Sequence, residues 1–245
     1  MQIAQLLINN MFTIISLLLS ALILHFIIQR MRFNLNEIKV KNVKYSAIIS
    51  LIVVLVIVII MTPLMLIFIE SFIVNKLKIS SNSGVGVIIY IIIAVLEITP
   101  VIIVAKLRKE SLYSLGITKK NIFKSIFIGF ISYFIYFIFI IIVEHRLKYI
   151  FHVNSVFSMW DFLNDTCTAL SEEILFRGYL QNRLIKWIGD KKGLIVTALA
   201  FSFSHIFQRM LTGNMNFTNA IISVISLFPV ALFLGYLFFK CKRDR

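Results

Sequence analysis

Three ionisable side chains stand together in the stretch SEEILFRGYL, residues 171–180, within a chain that is 60% hydrophobic. An ionisable group inside a membrane-crossing helix costs about 2.5–3.5 kcal/mol on insertion scales, so it is kept where it faces protein or a wet cavity and marks function. Helical spacing gives the three different tasks. Glu173 and Arg177 are four residues apart, stack on one face and can pair, which largely neutralises both. Glu172 projects about 100° around the helix from its neighbour and has no intrahelical cation of its own. It is the carboxylate suited to act as general base or acid.

The stretch RLIKWIGDKKGLIV turns the chain after this helix, and Gly189 lies at its middle. An antiparallel hairpin centred there pairs position i with position 378 − i, which sets Glu173 level with His205 and Glu172 one residue away. A glutamate and a histidine around a water can hydrolyse a peptide bond: the carboxylate takes the water's proton, and the imidazole orients it or stabilises charge. Glu172, Glu173 and His205 could instead hold a divalent metal such as zinc, which needs two or three protein ligands and a fixed water. No second histidine lies in the hairpin, so a site that needs no cofactor is the favoured reading. A purely structural reading also stands, in which Glu173 and Arg177 form a buried clamp and His205 is its hydrogen-bonded neighbour.

These residues must be positioned by membrane-crossing helices. The chain has 245 residues, a mean hydropathy of +0.95, 9 Gly and 3 Pro, with no linker and no internal repeat, which together predict one all-α polytopic bundle. A crossing helix needs roughly 20 mostly apolar residues. Seven segments meet or approach that length, near 4–28, 46–69, 85–105, 125–143, 163–185, 193–210 and 218–239. The fifth and sixth are the least hydrophobic. The net charge of +14 sorts by loop. Nineteen of the 25 Lys and Arg fall on one face, five on the other, and Arg177 lies within a span. By the positive-inside rule the N-terminus is outside and the C-terminus cytoplasmic. Topology thus explains the basic balance, and nucleic acid is not needed as a partner. No basic residue precedes Arg30, so the first segment reads as a retained helix rather than a cleaved signal. Cys167 and Cys241 belong to no C-x-x-C pair and predict no bridge; Cys167 reads as a small apolar filler, and Cys241 as a candidate acylation site in a basic tail.

Two other spans carry ionisable groups. His25 lies near an end of the first and can reach the interface. Glu97 is deeper, with Pro100 after it, and reads either as part of a kinked helix lining a cavity or as a buried neutral carboxyl.

SEEILFRG matches the pattern E-E-x-x-x-R, and FSFSH, residues 201–205, matches F-x-x-x-H. Both in order, on adjacent predicted helices, resemble the intramembrane CAAX protease and bacteriocin-processing family, also called CPBP or Abi and similar to type II CAAX prenyl endopeptidases. The resemblance covers roughly residues 105–239, including SLYSLGI and LFPVALFLGYLFF. It divides the chain into variable N-terminal helices, 1–104, and a protease core, 105–245. It implies that Glu172 activates the water and His205 acts with it. Glu173 and Arg177 are implied to be the supporting pair, and Phe201 an aromatic that shapes the pocket wall. It further implies a small peptide or membrane-protein substrate, a lipid environment and a bacterial cell membrane. The family's H-x-x-x-N pattern is not matched: LFLGYLFF runs into KCKRDR. That departure implies a weak or inactive enzyme, because removing one oxyanion donor from a protease costs about 10²–10³ in rate. Gln208, Asn214, Asn216 and Asn219 follow the histidine but are expected near the outer surface.

The leading function is therefore intramembrane peptide hydrolysis. The alternative is a non-catalytic relative that binds, as a bacteriocin-immunity or membrane regulatory protein. A third possibility, an ion-coupled carrier using Glu97 and Glu172, lacks the paired broken helices in matching halves that mark transporter sites.

Overall fold

The computed structural model describes residues 2–31, 38, 40–76, 78, 83–117, 122–144, 159–212, 215–225 and 227–242, and every regular element among them is helical. All seven predicted spans coincide with helix, as an all-α bundle requires. The protein is an integral membrane protein. Val43–Phe68, Gly84–Leu107, Asp190–Leu211 and Phe217–Cys241 are long and apolar enough to cross a bilayer, and Ile14–Arg30 and Phe123–Phe139 are shorter apolar helices. The fifth predicted span is helical but is not among the four long crossings, because it holds Glu172, Glu173 and Arg177.

The chain forms two compact units, one of Met1–Glu37, Thr118–Val156 and Pro229–Arg245, the other of Ile38–Ile117 and Phe157–Phe228. In the first, α1 (Gln2–Arg30) packs on α5 (Ile122–Glu144), and the core is Leu24, Ile28, Ile128 and Leu237. Ser20 and Ser132 are buried and donate to the carbonyls of Ser16 and Ile128, four residues back. Small side chains that satisfy their own polarity let apolar helices approach closely in lipid. His25 is held between the Tyr236 hydroxyl and the Gln29 amide, so its ring nitrogens are satisfied within the unit.

The second unit contains the candidate chemistry. Its first helical run is α2 (Val43–Val56), a π-helical turn (Ile57–Met61), α3 (Thr62–Phe68) and a second π-helical stretch (Ile69–Lys76). Pro63 has no N–H for the carbonyl of Ile59, and the wider turn lies where that bond is lost. The helix α4 (Gly84–Leu107) starts at Ser83, whose hydroxyl accepts from the Gly86 N–H at 3.2 Å, and it continues through Pro100. It packs against α6 (Met159–Glu172). The chain runs on as a π-helical segment (Glu173–Gln181), α7 (Asn182–Ile188), α8 (Asp190–Thr212) and α9 (Phe217–Ile225). The last helix, α10 (Leu227–Lys242), ends in the first unit.

The predicted hairpin is present with its expected register. Gly189 has φ +85°, a left-handed value that glycine adopts freely. A Cβ added at Gly193 would lie 2.7 Å from the Cα of Ile185, so α7 and α8 pack almost backbone to backbone where positions 185 and 193 meet.

Three of the loops assigned to one face by charge also meet in space. Arg108 donates to the Lys41 carbonyl at 2.7 Å, Lys186 to the Ile38 carbonyl, and Arg183 pairs with Glu110. Arg183 departs from expectation, since it is wholly buried rather than a solvated loop charge. The Glu110 carboxylate, the Ser46 and Ser114 hydroxyls and the Tyr179 carbonyl take its guanidinium protons, and the Tyr179 ring lies 4.0 Å beneath it. A buried cation with that many partners braces α2, the turn Leu112–Leu115 and α7.

Candidate active site

The sequence SEEILFRG spans the change from α-helix to π-helix at Glu173. A π-helical segment bonds i to i+5 and is frequent at functional sites; it turns the following side chains away from the register a continuous α-helix would give. Every residue from Leu175 to Leu184 is buried. The segment is enclosed by α2, α4, α8 and the turn Leu112–Leu115. That turn lies directly on Gly178: a Cβ there would be 2.0 Å from the Leu115 carbonyl oxygen. Only glycine allows this approach, and it locks the segment carrying Glu173 and Arg177.

Glu172 and His205 come together one residue away from the register that sets Glu173 level with His205. Oε1 of Glu172 is 3.4 Å from Nε2 of His205, with side-chain exposures of 27% and 17%. These values leave both groups open to water without placing them on the surface. The proton of the ring can be assigned from its partners. Nδ1 lies 2.9 Å from the Phe201 carbonyl oxygen, which can only accept, so Nδ1 carries the hydrogen. In a neutral imidazole Nε2 is then a bare acceptor facing a carboxylate oxygen, itself an acceptor. Two acceptors at that distance need a proton or a water to join them.

A cavity of about 30 Å³ lies against both groups. A single water needs about 10–15 Å³ measured in this way, so one or two fit. Thr62, Glu97, Phe176, Ser204 and Gln208 contribute to its walls. A wider cavity of about 190 Å³ shares Thr62, Glu97, Thr168 and Gln208 with it and adds Tyr90 and Asp165. Glu97 is 6% exposed and accepts from Thr62 Oγ1 and Ser171 Oγ, both at 2.6 Å. Glu97 is both buried and part of the walls of the two cavities. It ties α3 and α6 together across the water site.

The other predicted residues are arranged around this pair. Arg177 is 1% exposed, its Nε lies 3.4 Å from Glu173 Oε1, and its guanidinium sits 4.4 Å over the Phe201 ring. The Glu173 side chain is 42% exposed and is not among the residues lining the water cavity. Phe201 packs edge-to-face on Phe176 at 5.0 Å and touches the His205 ring at 4.7 Å. The aromatic cavity wall is therefore Phe176, and Phe201 backs both the wall and the histidine. Gln208, expected near the outer surface, faces both cavities; its spacing of three from His205 puts the two on one helix face. Asn216 instead caps α9 by accepting from the Asn219 N–H at 2.9 Å, and Asn214 lies outside the described residues. Spacing alone could have found Gln208. Thr62 and Ser171 carry no sequence signal, because their role depends on which helices touch.

Among the described residues no three His, Cys, Asp or Glu side chains form a group that could hold a metal ion. Glu172 and His205 give two donors, Glu173 lies 3.4 Å from Arg177, and Glu97 is held by the Thr62 and Ser171 hydroxyls, so the set does not fit a catalytic zinc with three protein ligands.

Residues 154–243 match the family model described as type II CAAX prenyl endopeptidase Rce1-like. The similarity is of this segment to that family. The match lies inside the predicted core and contains both motifs, with Glu172 and His205. No curated protein and no solved structure matches the chain. At family level, the match supports a CAAX-type intramembrane protease.

Proposed function

We propose that the protein hydrolyses a peptide bond in a membrane-associated peptide or protein, using water held between Glu172 and His205. The observation that carries this reading is the 3.4 Å approach of the Glu172 carboxylate to Nε2 of His205 beside a cavity of one or two waters. The carboxylate of Glu172 takes a proton as the water oxygen bonds to the scissile carbonyl carbon. The imidazole of His205 orients the water by accepting its second hydrogen at Nε2. The C–N bond then breaks, and the proton held by Glu172 passes to the leaving nitrogen. Atoms balance as peptide plus water giving acid plus amine, and no metal or other cofactor takes part. The proposed catalytic core is residues 105–245, in a bacterial cell membrane with the N-terminus outside and the C-terminus in the cytoplasm. The side assignment is supported by the charge sorting and by the meeting of three basic loops at one end of the second unit.

The test is cleavage of a lipid-tethered quenched fluorescent peptide library by the full chain in liposomes. Wild type is expected to cleave, whereas Glu172→Gln and His205→Ala accumulate, melt normally and do not. If those variants keep the protein's biological effect wherever they accumulate, it acts by binding, as an immunity or regulatory partner.

A further inference from the structure

Peptide hydrolysis needs more than an activated water: the scissile carbonyl must be polarised, and its oxygen stabilised as it becomes an oxyanion. The candidates can be found by counting protons along the wall between the two cavities. A carbonyl attacked by water in the small cavity, on a chain lying in the wide one, must sit at that wall. Four side chains face both: Thr62, Glu97, Thr168 and Gln208. A hydroxyl has one proton to give. That of Thr62 goes to Glu97 at 2.6 Å, and that of Thr168 to the Asn164 carbonyl at 3.2 Å. Both oxygens of Glu97 are engaged within the wall, 2.6 Å from the Thr62 and Ser171 hydroxyls, and Ser171 also lies 2.9 Å from the Thr168 carbonyl. In the small cavity the Ser204 proton goes to the Phe201 carbonyl at 2.7 Å, and His205 directs Nδ1–H to the same oxygen. Gln208 is different in kind. Its amide carries two N–H donors, so it can serve a protein acceptor and a substrate oxygen together.

We infer that Gln208 is the hydrogen-bond donor to the scissile carbonyl and that the wide cavity receives the peptide segment beside it. This inference rests on the hydrolytic reading above. One turn of α8 presents the two halves of the reaction: His205 faces the water, and Gln208, three residues on, faces the carbonyl it attacks. As the water oxygen bonds to carbon, the C=O π pair moves to oxygen, and the amide N–H stabilises that charge. The amide changes neither its protonation nor its covalent bonds.

The test measures kcat and KM separately for the full chain in liposomes with a lipid-tethered peptide. Gln208→Glu keeps the shape and removes the N–H donors. Gln208→Leu removes both donor and acceptor without adding charge, so the measurement survives if one variant does not fold. Loss of one oxyanion donor lowers turnover about 10²–10³-fold. Both folded variants are expected to show that fall in kcat, with KM within threefold of wild type and an unchanged melting midpoint. A purely structural role would lower the midpoint instead. Full kcat in either folded variant, while Glu172→Gln is inactive in the same assay, overturns the donor assignment alone. Full activity of Glu172→Gln overturns the hydrolytic reading and the donor assignment with it.

Discussion

Replacing Gly178 by alanine puts a methyl group where a backbone carbonyl already lies. The added Cβ would stand 2.0 Å from the Leu115 oxygen and 2.8 Å from the Leu115 carbonyl carbon. Ordinary contact begins near 3.4 Å, so the turn Leu112–Leu115 must retreat by about 1.4 Å, the difference between the two distances. A flexible side chain could yield cheaply; a backbone turn ending at Gly116 with φ +78° cannot. Retreat also loosens Ser114, which accepts from buried Arg183 at 3.2 Å through its hydroxyl. Overpacking a core costs about 1–3 kcal/mol, and a rigid obstacle with a coupled polar loss belongs at the upper end, about 3 kcal/mol. At about 2–4 °C per kcal/mol for a chain of this size, the midpoint should fall about 6–12 °C. Thermal unfolding in detergent, followed by reaction of Cys167 and Cys241 with a thiol-reactive dye, reads the shift. Gly129→Ala is the internal control: nothing lies within 4 Å of its added Cβ. Exchanging a helical glycine for alanine there should stabilise by about 0.5–1 kcal/mol. Equal midpoints for Gly178→Ala and wild type would refute the close approach and, with it, the way the segment is held.

Other outcomes follow from the same contacts. Glu110→Ala leaves Arg183 buried without its carboxylate and should cost about 3–5 kcal/mol, and adding Arg183→Met to it should recover part of the loss in the same melting assay. Phe201→Leu removes the ring beneath Arg177 while keeping an apolar side chain, so a loss of about 0.5–2 kcal/mol from the cation–π contact is expected, together with lower turnover as His205 loses its backing. Prolonged treatment with a strong chelator should leave cleavage unchanged, because the reaction runs on two side chains and water; loss restored by zinc would contradict that.

How much of this was legible in the sequence depends on whether a feature is local to one hairpin. The helical spacing of Glu173 and Arg177 and the approach of the glutamate pair to His205 to within one residue follow from one helix, one glycine and a count of residues. The packing of Gly193 on Ile185 confirms that count. Apolar length likewise placed the seven spans on helix, but not the turn Leu112–Leu115. What could not be read was contact between segments distant in sequence. Arg183 looked like a loop charge until Glu110, 73 residues away, was found against it. The contacts of Glu97 with Thr62 and Ser171, 35 and 74 residues away, carry no sequence signal either. Nor does a hydrophobicity pattern announce a π-helical segment, since the wider turn is set by what encloses residues 173–181.

The central claim is that Glu172 and His205 act as one unit on one water. A double-mutant cycle on kcat tests it directly, using Glu172→Gln, His205→Ala and the combination in liposomes. Groups that share a step are grossly non-additive, so the double variant is expected to be no slower than the slower single. Penalties that multiply, with the double variant slower than either single by the full product, would mean that the two side chains serve separate purposes and would contradict the mechanism.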